Sequence, residues 1–177
     1  RGKGYGLELL LKKNKGRSTG WISYTWSKAL RRINGVNNNE WYPPTYDHRH
    51  NFSLVYNRPL TEKISLSANW IYRSGGHTTI PIGTHIFDNT RFLYYSKRNG
   101  YTLPANHRLD ISASWKPVSQ KKRKCQSEWV LSIYNAYNRK NVFSLYVSQD
   151  PYDYSNAKAS MVYLTGILPT ITYNFKF

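Results

Sequence analysis

The closing heptapeptide, Ile171-Thr172-Tyr173-Asn174-Phe175-Lys176-Phe177, constrains the fold more than any other stretch of the chain. Successive side chains of an extended strand point to opposite faces, so Ile171, Tyr173, Phe175 and Phe177 share one face and Thr172, Asn174 and Lys176 the other. In water, four large apolar side chains on one side of a terminal strand are a liability. In a transmembrane β-barrel they are an asset, because one face of each strand meets lipid and the other a wet lumen.

The same alternation recurs along the chain. Tyr5, Leu7, Leu9 and Leu11 alternate with small or polar residues, broken only at Leu10. Ile22, Tyr24 and Trp26 alternate with Ser23, Thr25 and Ser27, and Phe52, Leu54 and Tyr56 with Asn51, Ser53, Val55 and Asn57. The clearest run sets Ile64, Leu66, Ala68, Trp70 and Tyr72 against Ser65, Ser67, Asn69, Ile71 and Arg73. Leu109, Ile111, Ala113 and Trp115 face away from Arg108, Asp110, Ser112, Ser114 and Lys116. Trp129, Leu131 and Ile133 face away from Glu128, Val130, Ser132 and Tyr134. Seven strands result, each long enough to cross a bilayer as a tilted strand of about 9–11 residues. Trp26, Tyr56, Trp70, Tyr72, Trp115 and Trp129 sit near the ends of the apolar runs, where aromatic girdles at two membrane interfaces would place them. The expected fold is all-β, an antiparallel transmembrane β-barrel in the bacterial outer membrane.

Connection lengths give an independent test. Asn14 to Ser18 is a short turn, Leu30 to Asp47 a long loop, Arg58 to Glu62 short and Ser74 to Pro104 long. Pro117 to Gln126 is intermediate, and Asn138 to about Ala159 is long. Outer-membrane barrels have tight periplasmic turns and long extracellular loops. With the C-terminus in the periplasm, every short turn falls on the periplasmic side.

Composition agrees. The chain is 40% hydrophobic and 16% aromatic, with 16 Tyr, 6 Trp and 6 Phe, yet its mean hydropathy is only −0.67, because loops and every second strand residue are polar. No run approaches the roughly 18 apolar residues of a membrane-spanning helix. A single cysteine, Cys125, excludes an internal disulfide framework and reads as an incidental residue of a basic turn, Lys121 to Cys125. The net charge of +17 raises the question of nucleic acid. The basic residues are scattered over turns and loops, however, and no nucleic-acid-binding signature is present, so no nucleic-acid partner is expected. They read first as solvated turn charges, of which a fraction is expected to contact anionic lipid A groups outside or acidic partners in the periplasm.

The chain starts at Arg1-Gly2-Lys3, without an initiator Met or signal peptide, and carries an odd number of strands. An open sheet would leave unpaired backbone groups in hydrocarbon at several kcal/mol each. Residues 1–177 are therefore expected to be the C-terminal part of a larger closed barrel. Assembly of one barrel from several copies is the alternative.

Five segments carry a family resemblance: Tyr5 to Leu9, Tyr46-Asp47-His48-Arg49-His50-Asn51-Phe52, Pro104 to Asp110, Ile133-Tyr134-Asn135-Ala136-Tyr137-Asn138-Arg139-Lys140-Asn141, and the Phe-ended terminal strand. In this order they resemble the last barrel strands of TonB-dependent outer-membrane receptors, with the flavour of those from Bacteroidetes. The resemblance implies a barrel of about 22 strands with a plugged lumen, of which this chain supplies about the last seven. It implies active uptake of a scarce nutrient, and as partners membrane lipid, the rest of the barrel and its plug, and the TonB complex through the absent N-terminal part. It also implies that the barrel-assembly machinery reads the terminal signal Ile171, Tyr173, Phe175 and Phe177. The segment Leu168 to Asn174 is closer to receptors of the siderophore, cobalamin or peptide kind than to glycan importers with a surface lipoprotein, which remains an open partner. A passive porin or structural barrel, and a soluble β-sheet binding module, are the other classes compatible with the strand pattern.

Catalytic chemistry finds no support: no Ser-His-Asp order and no paired carboxylates at a credible spacing are present. No enzyme activity, cofactor or metal is expected. His48 and His50 are expected on one face near Asp47, two imidazoles without a firm third ligand. His77 and His85 read as loop residues. Glu8, Asp110, Arg73 and Arg108 read as lumen-facing charges that pair with one another or with a plug. The candidate ligand-capturing residues are Asn38, Trp41, Tyr42, Arg91, Tyr94 and Tyr95, in the two long loops, where side chains of this kind offer stacking surface and hydrogen bonds to a polar solute.

Overall fold

The computed structural model describes residues 1–88, 90–117, 126–149 and 157–176. In chain order the strands are β1 (Gly2–Lys13), β2 (Thr19–Arg31), β3 (His50–Pro59), β4 (Ile64–Arg73), β5 (His77–Thr78), β6 (Pro81–Phe87) and β7 (Thr90–Tyr95). They continue with β8 (Tyr101–Thr102), β9 (Asn106–Trp115), β10 (Gln126–Tyr134), β11 (Val142–Gln149), β12 (Ala157–Tyr163) and β13 (Leu168–Lys176). Seven of them form one antiparallel sheet in the order β1-β2-β3-β4-β9-β10-β13. These are the seven strands expected from the alternation, so the all-β, antiparallel architecture read from the sequence is the one observed. Among the described residues no helix is long and apolar enough to cross a membrane.

Register decides which side chains share a face. Leu7 pairs with Trp26, Leu9 with Tyr24 and Leu11 with Ile22. Tyr24 then pairs with Phe52, Phe52 with Tyr72, and Leu54 with both Ile22 and Trp70. Leu66 opposes Ala113 and Ala68 opposes Ile111. Trp129 opposes Trp115 on one side and Tyr173 on the other. A slip of one residue at any pair would turn that strand's apolar set to the other side. No slip occurs, and the apolar face runs unbroken across the sheet.

Among the described residues no second layer covers that face. The buried apolar side chains among the described residues are Tyr42, Pro44 and Val142, and none belongs to the seven-stranded sheet. Even in the middle of the sheet Leu66 and Ile111 are each 40% exposed. A β-sandwich would bury these positions against a partner sheet about 10 Å away.

Short connections close in a few residues. In the turn after β3, the Thr61 hydroxyl accepts from the Lys63 and Ile64 backbone N–H groups at 3.2 and 3.0 Å. Two of the three long connections contain strands of their own, which the alternation did not announce. β5 pairs with β8 and β6 with β7 inside residues 74–105, and β11 pairs with β12 inside residues 135–167. The turn between β9 and β10, with Ser119 and Cys125, lies outside the described residues apart from Lys116 and Pro117.

Candidate functional site

Two belts of rings bracket the apolar face. At the end of the sheet carrying the long loops, Phe52 meets Trp70 edge-on at 5.3 Å between ring centroids, Trp70 stacks on Tyr72, and Tyr72 on His107. Tyr5 and Trp26 continue this belt on β1 and β2. At the turn end, Trp129 packs on Tyr173 at 4.6 Å and Tyr173 on Phe175, with Trp115 paired to Trp129. Between the belts the face is mainly aliphatic: Leu9, Leu54, Leu66, Ile111, Leu131 and Ile171. Of the residues expected to form a terminal signal, Ile171, Tyr173 and Phe175 lie on this face, while Phe177 lies outside the described residues.

The loop rim is locked by two carboxylates used in the same way. Asp47, 2% exposed, accepts from the Ala29 N–H at 2.6 Å and from Arg49 at 3.2 Å. Asp110 accepts from the Asn135 N–H at 2.9 Å and from Arg108 at 2.9 Å, and the Arg108 guanidinium lies 4.0 Å from the centre of the Tyr134 ring. Each carboxylate thus satisfies a backbone donor just where a strand leaves the ladder and neutralises an arginine two residues away. Asn135 is fully buried. Its amide oxygen accepts from the Arg139 N–H at 3.0 Å, and its amide N–H donates to the Arg139 carbonyl at 2.9 Å. Asn141 brackets the His107 backbone in the same two-sided way, at 3.0 Å each.

The pairing of Arg108 with Asp110 is the one expected of lumen-facing charges, and Arg73 donates to Asn51 at 3.1 Å. The expected common face for His48 and His50 is corrected. β3 begins only at His50, so strand alternation does not reach His48. The His48 Nδ1–H donates to the Ser74 carbonyl at 2.8 Å and its ring lies against Gly76 on the polar side. His50 shares a 2.8 Å hydrogen bond with the Tyr24 hydroxyl on the apolar side. His77 Nε2 stands 3.7 Å from Asp47, and His85 stacks on Phe92. Among the described residues no group of three or more His, Cys, Asp or Glu is placed to hold a metal.

The two long loops that sequence reasoning treated separately are joined. Asn37 accepts from the Arg98 N–H at 2.7 Å and donates to its carbonyl at 3.1 Å. Glu40 meets Lys97 at 2.6 Å, and Asn99 donates to the Pro43 carbonyl at 2.8 Å. Of the candidate capture residues, Asn38 is exposed in a left-handed turn with φ 55°. Trp41 carries the Lys3 ammonium 4.5 Å from its ring centre. Tyr42 is only 4% exposed and its backbone exchanges two 2.8 Å hydrogen bonds with Arg31, so it props the loop and offers little surface to a solute. Tyr94 and Tyr95 are exposed on the hairpin of β6 and β7, and the Arg91 side chain lies outside the described ones. A second hairpin, β11 with β12, exposes Phe143, Tyr146 and Tyr163; nothing in the strand pattern singled it out.

Below the joined loops, the polar face holds an open cavity of about 920 Å³. Ser23, Thr25, Asn51, Arg73, Asn106 and Arg108 line it, a wall able to hydrogen-bond a polar solute. No protein-family model, no characterised protein and no solved structure matches this chain.

Proposed function

We propose that this chain builds seven strands of the wall of an outer-membrane β-barrel, and that the protein is a TonB-dependent receptor importing a scarce polar nutrient. One observation carries the barrel reading: a seven-stranded sheet with one polar face and one continuous apolar face that bears no covering layer among the described residues. Hydrocarbon solvates such a face, whereas water does not. The two ring belts sit where interfacial Trp and Tyr concentrate. The outer edges of β1 and β13 pair with no other strand among the described residues. In lipid those backbone groups need partners, which the remaining strands of the same barrel are proposed to supply.

The importer reading rests on the resemblance of the rim segments. Tyr46 to Phe52, Pro104 to Asp110 and Ile133 to Asn141 are the segments whose side chains lock the loops to the sheet. The joined loops and the cavity beneath them supply an outer mouth for capture. The experiment replaces Cys125 by Ser in the full-length protein and adds single cysteines. Lys15→Cys and Glu62→Cys are expected to stay hidden from an impermeant thiol reagent on intact cells, and Asn38→Cys and Tyr94→Cys to label. Release of the protein by a salt wash, or the reverse labelling pattern, would defeat the barrel reading. Uptake that persists after the proton gradient is collapsed would make it a passive porin.

A further inference from the structure

The apolar face is not uniform. Gly20 leaves a notch of about 300 Å³ near the turn end, walled by Leu11, Ile22, Leu54 and Tyr56. At Gly20 the β3 backbone approaches so closely that any Cβ would overlap the Val55 carbonyl, so the hollow cannot be filled from that position. The volume is at the low end for a small-molecule pocket and suits part of one flexible chain. Lys13 forms part of the rim, with its side chain lying over the turn at Gly16. Arg58 stands beside Tyr56, and both cations act on the Tyr56 hydroxyl, which also meets Ser18 at 3.0 Å.

Charge on this face is one-sided. The seven strands place Lys3, Lys13, Lys28 and Arg58 on the apolar side, all toward strand ends, and no Asp or Glu. Glu8, Asp110 and Glu128 all point to the polar side. Among the described residues neither Lys13 nor Arg58 forms an ion pair. An apolar slot opening beneath two unpaired cations is complementary to a lipid with an anionic headgroup.

We propose that the notch at Gly20 is a binding site for an anionic glycerophospholipid, with an acyl segment along Leu11, Ile22 and Leu54 and the phosphate between Lys13 and Arg58. This rests on the barrel reading, which puts the turn end in the inner leaflet of the outer membrane. The test is native mass spectrometry of the full-length protein in detergent, titrated with phosphatidylglycerol or phosphatidylcholine. Wild type is expected to retain phosphatidylglycerol preferentially. Lys13→Gln with Arg58→Gln should weaken that retention about 30-fold, two basic contacts of the size usual at an anionic surface. Ile22→Phe, which crowds the notch without touching the charges, should also weaken it, while Lys3→Gln with Lys28→Gln should not. Equal retention of the two lipids, or of phosphatidylglycerol by wild type and the Lys13/Arg58 variant, overturns the proposal while leaving the barrel intact. A protein that leaves the membrane without detergent overturns the barrel reading, and the lipid site with it.

Discussion

Asparagine shapes the rim of this sheet. Of the seven non-glycine residues with positive φ among the described ones, six are Asn, the seventh being Asp88. Asn tolerates the left-handed region better than other side chains and adds hydrogen bonds that Gly lacks. Asn135, at φ 53°, uses both abilities at once. Asn135→Ala is expected to cost about 2–4 kcal/mol, two buried hydrogen bonds plus the strain of a left-handed Ala. Asn135→Gly keeps the backbone geometry and should cost about 1 kcal/mol less. Equal losses in urea unfolding would mean that the φ angle contributes nothing. His77 adds a pH dependence. Burial lowers its pKa below 6.5 against the upward pull of Asp47, with Arg49 adding to the lowering. A His with a lowered folded pKa is held neutral by the fold. Its contribution is therefore full above the ordinary value near 6.5 and is lost as pH falls through the lowered value. Proteolytic nicking of residues 74–105 should rise in wild type as pH falls from about 6.5 through the lowered value. The acid-side rise should shrink in His77→Gln; an identical profile would assign it to another group.

At the scale of the element, the sheet's two faces make opposite demands. Leu66 and Ile111 lie in the aliphatic band, next to Ser67 and Ser112 on the polar face. Arg at Leu66 or Ile111 should destabilise by about 2–4 kcal/mol, as cations do on a lipid face near the bilayer midplane, and Arg at Ser67 or Ser112 by clearly less. Indistinguishable unfolding midpoints for the two pairs would mean that neither face meets lipid. The strands were legible in the sequence because a period of two is a local signal: Ile64 to Arg73 alone announces β4 and both its faces. The hairpins β6–β7 and β11–β12 were not legible. Phe87, Phe92, Tyr94 and Tyr146 carry no lasting alternation, and their pairing depends on the loops that flank them. The joining of the loops was equally hidden, because Asn37 finds Arg98 and Glu40 finds Lys97 across some sixty residues. Burial of Tyr42 follows from its bridge to Arg31, which no single-strand pattern encodes.

At the scale of the whole molecule, the loop end carries two exposed hairpins, and a covering role and a capturing role make different predictions. The zipper of Asn37, Glu40 and Pro43 with Lys97, Arg98 and Asn99 holds the loops together without help from the hairpin β6–β7. The hairpin's exposed rings, Phe87, Phe92, Tyr94 and Tyr95, bury little against the rest of the chain. Exposed aromatic surface on a paired, hence partly rigid, hairpin costs little side-chain entropy to engage and suits stacking on a polar solute. Replacing Ile82–Tyr94 by a short Gly-Ser linker therefore separates the two roles, since it spares Thr79, Ser96 and the zipper. On the proposed barrel reading the protein should still fold in normal amount, judged by heat-modifiable migration. If the hairpin captures ligand, growth on the limiting nutrient should require at least about tenfold more of it, the equivalent of about 1.4 kcal/mol of lost binding. Unchanged growth with a folded barrel would assign the hairpin to cover alone and shift the capture surface to the cavity between Arg73 and Arg108.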